Sequence, residues 1–204
     1  MNPPSKNKAL AVFLKNRVLG QVKTRLAKDV GPEKALEIYS HLYAHTLNVA
    51  KTVEAEIHGF YATEKKAHST FDGVHLQNGS DLGERMKNAF ALLFERHERV
   101  VLIGSDLPEL SSAVIEKAYA LLEENDLVLG PAVDGGYYLI GLRSAQPHLF
   151  EKMSYSHPEV LAQTLERAKE LKLSVALLDP LRDLDTLEDL KHFNYLIDSG
   201  LSTP

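Results

Sequence analysis

Apolar and polar positions change period along this chain, and the changes mark its elements. Residues 9–14 (ALAVFL) are an unbroken apolar run, as in a strand buried on both faces of a parallel sheet. Asn16 and Gly20 follow as turn formers. Pro32-Glu33 then reads as a helix start, with proline near the first position and an acid favouring the dipole. Apolar residues at 35, 36, 39, 42, 43, 47 and 50 continue it at helical spacing. Residues 55–62 (AEIHGFYA) predict a weaker strand. Asp81-x-x-Glu84 resembles a capping box ahead of the apolar face Leu82, Met86, Ala89, Phe90 and Leu93. Residues 100–103 form a short strand stopped by Gly104, and Ser111 or Ser112 caps a helix running to about Glu124. Residues 127–132 and 137–142 are strands joined through Gly135-Gly136. Ser156-x-x-Glu159 opens a helix to Leu171, residues 174–178 are a last strand, and Thr186-x-x-Asp189 caps a helix to about Ile197, with Gly200 as its stop.

Strands alternating with helices imply a mostly parallel sheet with helices on both faces. At 204 residues, 44% hydrophobic and 25% charged, the chain fits one globular domain over residues 1–204. No apolar run approaches the 18 or so residues of a membrane span. The polar start, with Pro3, Pro4, Lys6 and Lys8, lacks the apolar core of a signal peptide, so a cytoplasmic location is expected. There is no cysteine, which removes disulfides, thiolate metal sites and cysteine nucleophiles together.

A net charge of −5 argues against a nucleic-acid binder, but its distribution is uneven. Lys15, Arg17, Lys23, Arg25 and Lys28 fall within 14 residues holding no acid; Asp179, Asp183, Asp185, Glu188 and Asp189 face only Arg182. In open sheets ligands bind beyond the carboxyl ends of the strands. That rule selects the loops after Leu14, Ile103 and Leu178: the basic loop, Gly104-Ser105-Asp106-Leu107-Pro108 and the acidic loop.

Each loop has a chemical reading and a plainer one. In Gly20-Gln21-Val22-Lys23-Thr24-Arg25-Leu26, glycine permits close approach of a ligand. Lys23 and Arg25, two apart, point one way in an extended loop and suit phosphate oxygens. The alternative is a solvated basic loop, and neither a Walker A sequence nor G-x-G-x-x-G occurs. Asp106, directly after a buried strand, suits a hard cation that takes its other oxygens from phosphate and water, or bonds a neighbouring turn. Asp183 and Asp185 can share an ion, or Asp185 is an acid placed near a helix start. Asp134-Gly135-Gly136 is a hairpin turn, or leaves space for a substrate with Asp134 as acceptor or base. His41 and His45 lie on a solvated helix face.

Together, Phe13-Leu14-Lys15 with the Gly20 to Leu26 stretch, Asp81-Leu82-Gly83-Glu84-Arg85-Met86, Gly104-Ser105-Asp106-Leu107-Pro108, Asp134-Gly135-Gly136-Tyr137-Tyr138-Leu139-Ile140-Gly141 and Asp183-Leu184-Asp185-Thr186-Leu187-Glu188-Asp189-Leu190 resemble, in order and spacing, the DUF2064 family of small bacterial GT-A-fold glycosyltransferase-like proteins. The resemblance implies a three-layer, Rossmann-like GT-A (nucleotide-diphospho-sugar transferase) fold. It also implies a Mg²⁺ or Mn²⁺ ion held by Asp106, Asp183 and Asp185. Gly20, Lys23, Thr24 and Arg25, with Arg85, would bind a nucleotide sugar or nucleotide. Asp134 would contact the sugar or an unknown small-molecule acceptor. The expected function is metal-dependent glycosyl transfer. The alternative is nucleotidyl transfer of the phospholactate or molybdopterin guanylyltransferase type. Two positions depart from the pattern: Arg17 and Leu19 replace usual prolines, and Tyr155-Ser156 replaces a Trp-Ser pair.

Overall fold

A computed structural model describes residues 7–151 and 153–193. Its sheet has seven strands: β1 (Lys8–Leu14), β2 (Glu56–Tyr61), β3 (Gly73–Leu76), β4 (Arg99–Ile103), β5 (Leu127–Pro131), β6 (Tyr137–Leu142) and β7 (Val175–Leu177). They lie in the order β3-β2-β1-β4-β6-β5-β7. Only β6 runs antiparallel to its neighbours, β4 and β5; the other pairs are parallel. The helices are α1 (Thr24–Val30), α2 (Pro32–Ala50), α3 (Leu82–Leu93), α4 (Ser112–Leu121), α5 (Val160–Glu170) and α6 (Leu187–His192), with a 3₁₀ turn at Pro147–Phe150.

The apolar run of β1 is divided between two cores by strand alternation. Leu10, Val12 and Leu14 pack with Tyr39, Tyr43 and Leu47 of α2 and with Ile115 and Tyr119 of α4. Ala9, Ala11 and Phe13 pack on the other face with Met86 and Phe90 of α3 and Ala168 of α5. A third cluster (Leu26, Ile38, Leu42, Leu184, Leu190, Phe193) joins α1, α2 and α6 and so ties the basic loop to the acidic one. The expected layering of helices on both faces of a mostly parallel sheet is therefore what forms.

Several local expectations change. The basic loop runs straight into its own short helix, α1, which Gly31 (φ 84°) separates from α2. Strand β3 has no buried run to announce it; its residues are half-buried or exposed, as an edge strand's are. Asp81 caps α3 by accepting from the Glu84 amide, but Glu84 reaches back to Ser80 rather than to Asp81. Ser156 does not cap α5: it has φ 68°, and Glu159 holds the cap position. Helix α4 stops at Leu121, short of Glu124. Thr186 and Asp189 form the expected reciprocal capping box of α6. That helix ends at His192, while Ile197 and Gly200 lie outside the described residues. No helix among the described residues is long and apolar enough to cross a membrane.

One buried bond crosses from the α4 layer to the central strand: the Tyr119 hydroxyl donates to the Ala9 carbonyl at 2.7 Å. Tyr119→Phe removes that bond. Urea denaturation is expected to show a loss of about 1–2 kcal/mol with an unchanged slope; no loss would mean that the bond contributes nothing net.

Candidate functional site

The site begins where β1 ends. Asn16 anchors the following loop: its side chain accepts from the Thr63 amide (3.0 Å) and hydroxyl (2.7 Å) and donates to the Glu64 carbonyl (2.8 Å). The Arg17 guanidinium lies 4.6 Å from the centre of the Tyr43 ring, a cation–π contact. Gly20 turns with φ 73° and faces open space. Lys23 then takes a left-handed conformation (φ 48°, ψ 44°) at the N-cap of α1, which costs a non-glycine residue about 1–2 kcal/mol. The strain sends its side chain inward, to 1% exposure.

There the Lys23 ammonium lies 3.0 Å from Asp106 Oδ2 and 3.7 Å from Asp185 Oδ1, while Arg25 Nη1 donates to Asp185 Oδ2 at 3.1 Å. The contacts of Lys23 are ionic; Nζ finds no well-aligned hydrogen-bond acceptor among the described residues. Burial works to raise the Asp106 pKa, but the charge of Lys23, with Lys15 behind it, holds the carboxyl below its ordinary range. The backbone is held as closely. The Tyr39 hydroxyl bonds to the Lys15 amide, the Lys15 carbonyl and Ser105 Oγ at 2.9–3.1 Å. Leu184 donates to the Asp106 carbonyl at 3.1 Å, and Val133 to that of Leu181 at 3.0 Å. The loops after β1, β4, β5 and β7 thus meet at one end of the sheet.

Asp183 is the uncompensated member. Its Oδ1 is buried with no hydrogen-bond partner. Burial, then the charges of Asp134 and Asp106, push its pKa up to about 6. Asp134 Oδ1 accepts from the Gly136 amide at 2.9 Å, so the turn is held by its own side chain. Between them Gly135 (φ 91°) lies so close to the Pro158 carbonyl that a Cβ would collide with it.

Two hollows adjoin here. A cleft of about 620 Å³ has Lys15, Lys23 and Arg25 on its basic side and reaches Asp134 and the Ser156-His157-Pro158 turn. A smaller one, of about 190 Å³, brings Arg25, Asp134, Asp183 and Asp185 together. Phosphate oxygens suit the first, and a hard cation suits carboxylates with an oxygen to spare. On that test Asp183 fits a Mg²⁺ or Mn²⁺ ion, with Asp134 and Asp106 near enough for their charges to act on it.

The nine sequence candidates are divided accordingly. Gly20, Lys23, Thr24, Arg25, Asp106, Asp134, Asp183 and Asp185 belong to the converging loops around these hollows. The proposed metal triad does not assemble as such. Among the described residues, Asp106, Asp183 and Asp185 do not bring three ligand oxygens within 4.8 Å of one another; Asp106 and Asp185 instead engage Lys23. Arg85 lies apart on α3, where its Nε donates to the Gly79 carbonyl and its side chain lines a different hollow with Phe60 and Asn88. Two residues at the site carry no sequence signal: Tyr39, whose apolar helical position conceals a polar role, and His157, which follows the turn at Ser156.

Comparison with known proteins adds three findings. The model of the DUF2064 family, described as uncharacterized proteins conserved in bacteria, matches residues 43–157. A crystal structure from Desulfovibrio desulfuricans G20, provisionally described as a nucleotide-diphospho-sugar transferase, is 34% identical, with 96% of this chain and 89% of that one covered and a TM-score of 0.86. More remote likenesses show the fold alone. The 2-C-methyl-D-erythritol 4-phosphate cytidylyltransferase of Thermus thermophilus is 14% identical, covering 94% and 99% of the two chains (TM-score 0.58). A Mycobacterium tuberculosis protein in complex with manganese is 15% identical, covering 95% and 99% (TM-score 0.55). No curated protein matches the sequence.

Opposite electrostatics at two aspartates give opposite expectations for the metal-free protein. Asp106→Asn leaves the buried Lys23 charge short of a partner and should lower stability by roughly 1–3 kcal/mol. Asp183→Asn relieves a repelled carboxylate and should raise stability at pH 7 by something on the order of 1 kcal/mol. Because the folded pKa of Asp183 is raised, the folded state holds the extra proton between the ordinary carboxylate value and about 6. The penalty therefore develops as pH rises through that window. The gain from Asp183→Asn should accordingly fade when thermal unfolding is followed downward from pH 7 to below 4. A gain that persists in acid would contradict the repulsion.

Proposed function

The chain belongs to the DUF2064 family, and from that premise we propose that it is a metal-dependent transferase acting on a nucleotide-activated sugar. The observation that carries this reading is the arrangement at the Lys23 loop: basic groups on one side of a cleft, and an unpartnered buried carboxylate beside it. The Desulfovibrio desulfuricans protein's description supports the same substrate class. Rossmann-like, GT-A-type folds also serve nucleotidyl transfer, so the fold does not choose the bond that breaks.

In this reading the diphosphate of the donor enters against Arg25 and Thr24, at the mouth of the cleft. Arg25 gives up its bond to Asp185 for a phosphate oxygen, an exchange that its 66% exposed side chain permits. Lys23, fixed by Asp106, presents a charge that needs no reorganisation as negative charge grows on the leaving diphosphate. Asp183 would hold Mg²⁺ or Mn²⁺, with the charges of Asp134 and Asp106 helping to attract the ion, which when bound offsets the charge of the diphosphate. Asp134 lines both hollows, with Asp183 in the smaller and with the Ser156-His157 turn in the larger. In this reading Asp134 would orient an acceptor hydroxyl or take its proton.

Phosphorus NMR of long incubations with Mn²⁺ and a panel of nucleotide sugars separates the two chemistries. Water standing in for the acceptor should give slow release of nucleoside diphosphate. Pyrophosphate from a nucleoside triphosphate, with no diphosphate from any nucleotide sugar, would transfer the assignment to nucleotidyl transfer. In calorimetry, Arg25→Ala should weaken nucleoside diphosphate binding about tenfold, the equivalent of one charge-assisted hydrogen bond. Unchanged affinity would remove Arg25 from the site.

A further inference from the structure

The opposite end of the sheet holds a second cluster of metal-binding side chains. Glu56 opens β2, and His58 lies two residues on, so both project from the α3 face of the sheet. His97 lies in the turn between α3 and β4, where its amide bonds to the Leu93 carbonyl at 3.0 Å. Both imidazoles converge on a single carboxylate oxygen. His97 Nε2 is 3.5 Å and His58 Nε2 3.8 Å from Glu56 Oε2, and the three ligand atoms lie within 4.8 Å of one another.

These separations are long for hydrogen bonds, yet close to the edge of a tetrahedron about an ion with bonds of 2.0–2.1 Å, about 3.4 Å. His58 Nε2 is buried and has no hydrogen-bond partner. Its other nitrogen, Nδ1, bonds to His75 Nε2 at 3.1 Å. In the tautomer in which Nδ1 donates that bond, the lone pair of Nε2 faces Glu56 Oε2, and an intervening cation makes the arrangement favourable. A ligating histidine anchored through its second nitrogen is the usual support for such a site. The third strand leaves room for it: a Cβ on Gly73 would collide with His58 Nδ1.

We propose that Glu56, His58 and His97 form a binding site for a Zn²⁺-class divalent ion, held by two imidazoles and one carboxylate and clamping β2 to the α3–β4 turn. Its donors differ in kind from the all-carboxylate group beside Lys23, and imidazole nitrogen favours Zn²⁺ over Mg²⁺. The fourth position is left to water.

The test uses the full chain, stripped with EDTA and carrying Asp183→Asn so that the carboxylate group at the other end is disabled. Titration with Co²⁺ should give the strong visible absorption of a four- or five-coordinate ion, saturating at one equivalent and displaced by Zn²⁺. Zn²⁺ should also raise the unfolding temperature, since it binds the folded state. Glu56→Gln, at a half-buried position that tolerates the change in shape, should weaken Zn²⁺ at least about tenfold with the circular dichroism spectrum unchanged. His97→Gln should do the same; if that variant does not fold, Glu56→Gln decides alone. Absence of the Co²⁺ spectrum at one equivalent, or a Zn²⁺ affinity indifferent to Glu56→Gln, would overturn the proposal.

Discussion

A buried ammonium group sets the terms for this structure. Lys23 is removed from water almost completely, and a lone charge in that position costs several kcal/mol unless it is matched. Asp106 and Asp185 supply the match from two other loops. The left-handed backbone at Lys23, the anchoring of the loop by Asn16 and Arg17, and the bond from Leu184 to Asp106 all keep these charges in register. The third apolar cluster supports the same arrangement from below, joining α1 and α2 to α6. Loops far apart in sequence are thus obliged to meet at the carboxyl ends of the strands.

The match is incomplete, and the remainder is where chemistry belongs. Around Lys23 the carboxylates outnumber the buried cation, so Asp183 keeps an oxygen with no partner. A buried, repelled carboxylate beside a basic cleft is the kind of perturbed group that marks a candidate functional site. The two ends of the sheet carry contrasting donor sets. Carboxylates and basic side chains crowd the carboxyl end, while imidazoles gather at the amino end.

Much of this was legible in the sequence because its signals are local. Continuous apolar runs gave the buried strands, helical periodicity gave α2 and α3, and Thr186 with Asp189 marked α6. The strand-end rule selects the loops of Lys23, Asp106 and Asp185 from sequence alone. What escaped depends on tertiary partners. Strand β3 is a partly exposed edge, so its four residues carry no buried pattern. Ser156 has the chemistry of a cap, but it occupies a left-handed turn instead. Arg85 belongs to one of the family-like motifs yet faces another hollow, because its direction from α3 is set by the helix. The split of the aspartates between Lys23 and the open position could not be read from spacing, since it depends on where a lysine side chain comes to rest. Glu56, His58 and His97 gave no motif at all: strand alternation and one turn bring them together across the α3 crossover.

The central claim is that the Lys23 loop and Asp183 form one site for a metal-bridged diphosphate. Crystals grown with Mn²⁺ and a nucleoside diphosphate, measured at the manganese absorption edge, test it most directly. The account predicts an anomalous peak against the Asp183 carboxylate, with the diphosphate between that peak and the side chains of Lys23 and Arg25. A diphosphate bound in this cleft with no manganese at Asp183, or one bound elsewhere on the molecule, would contradict it.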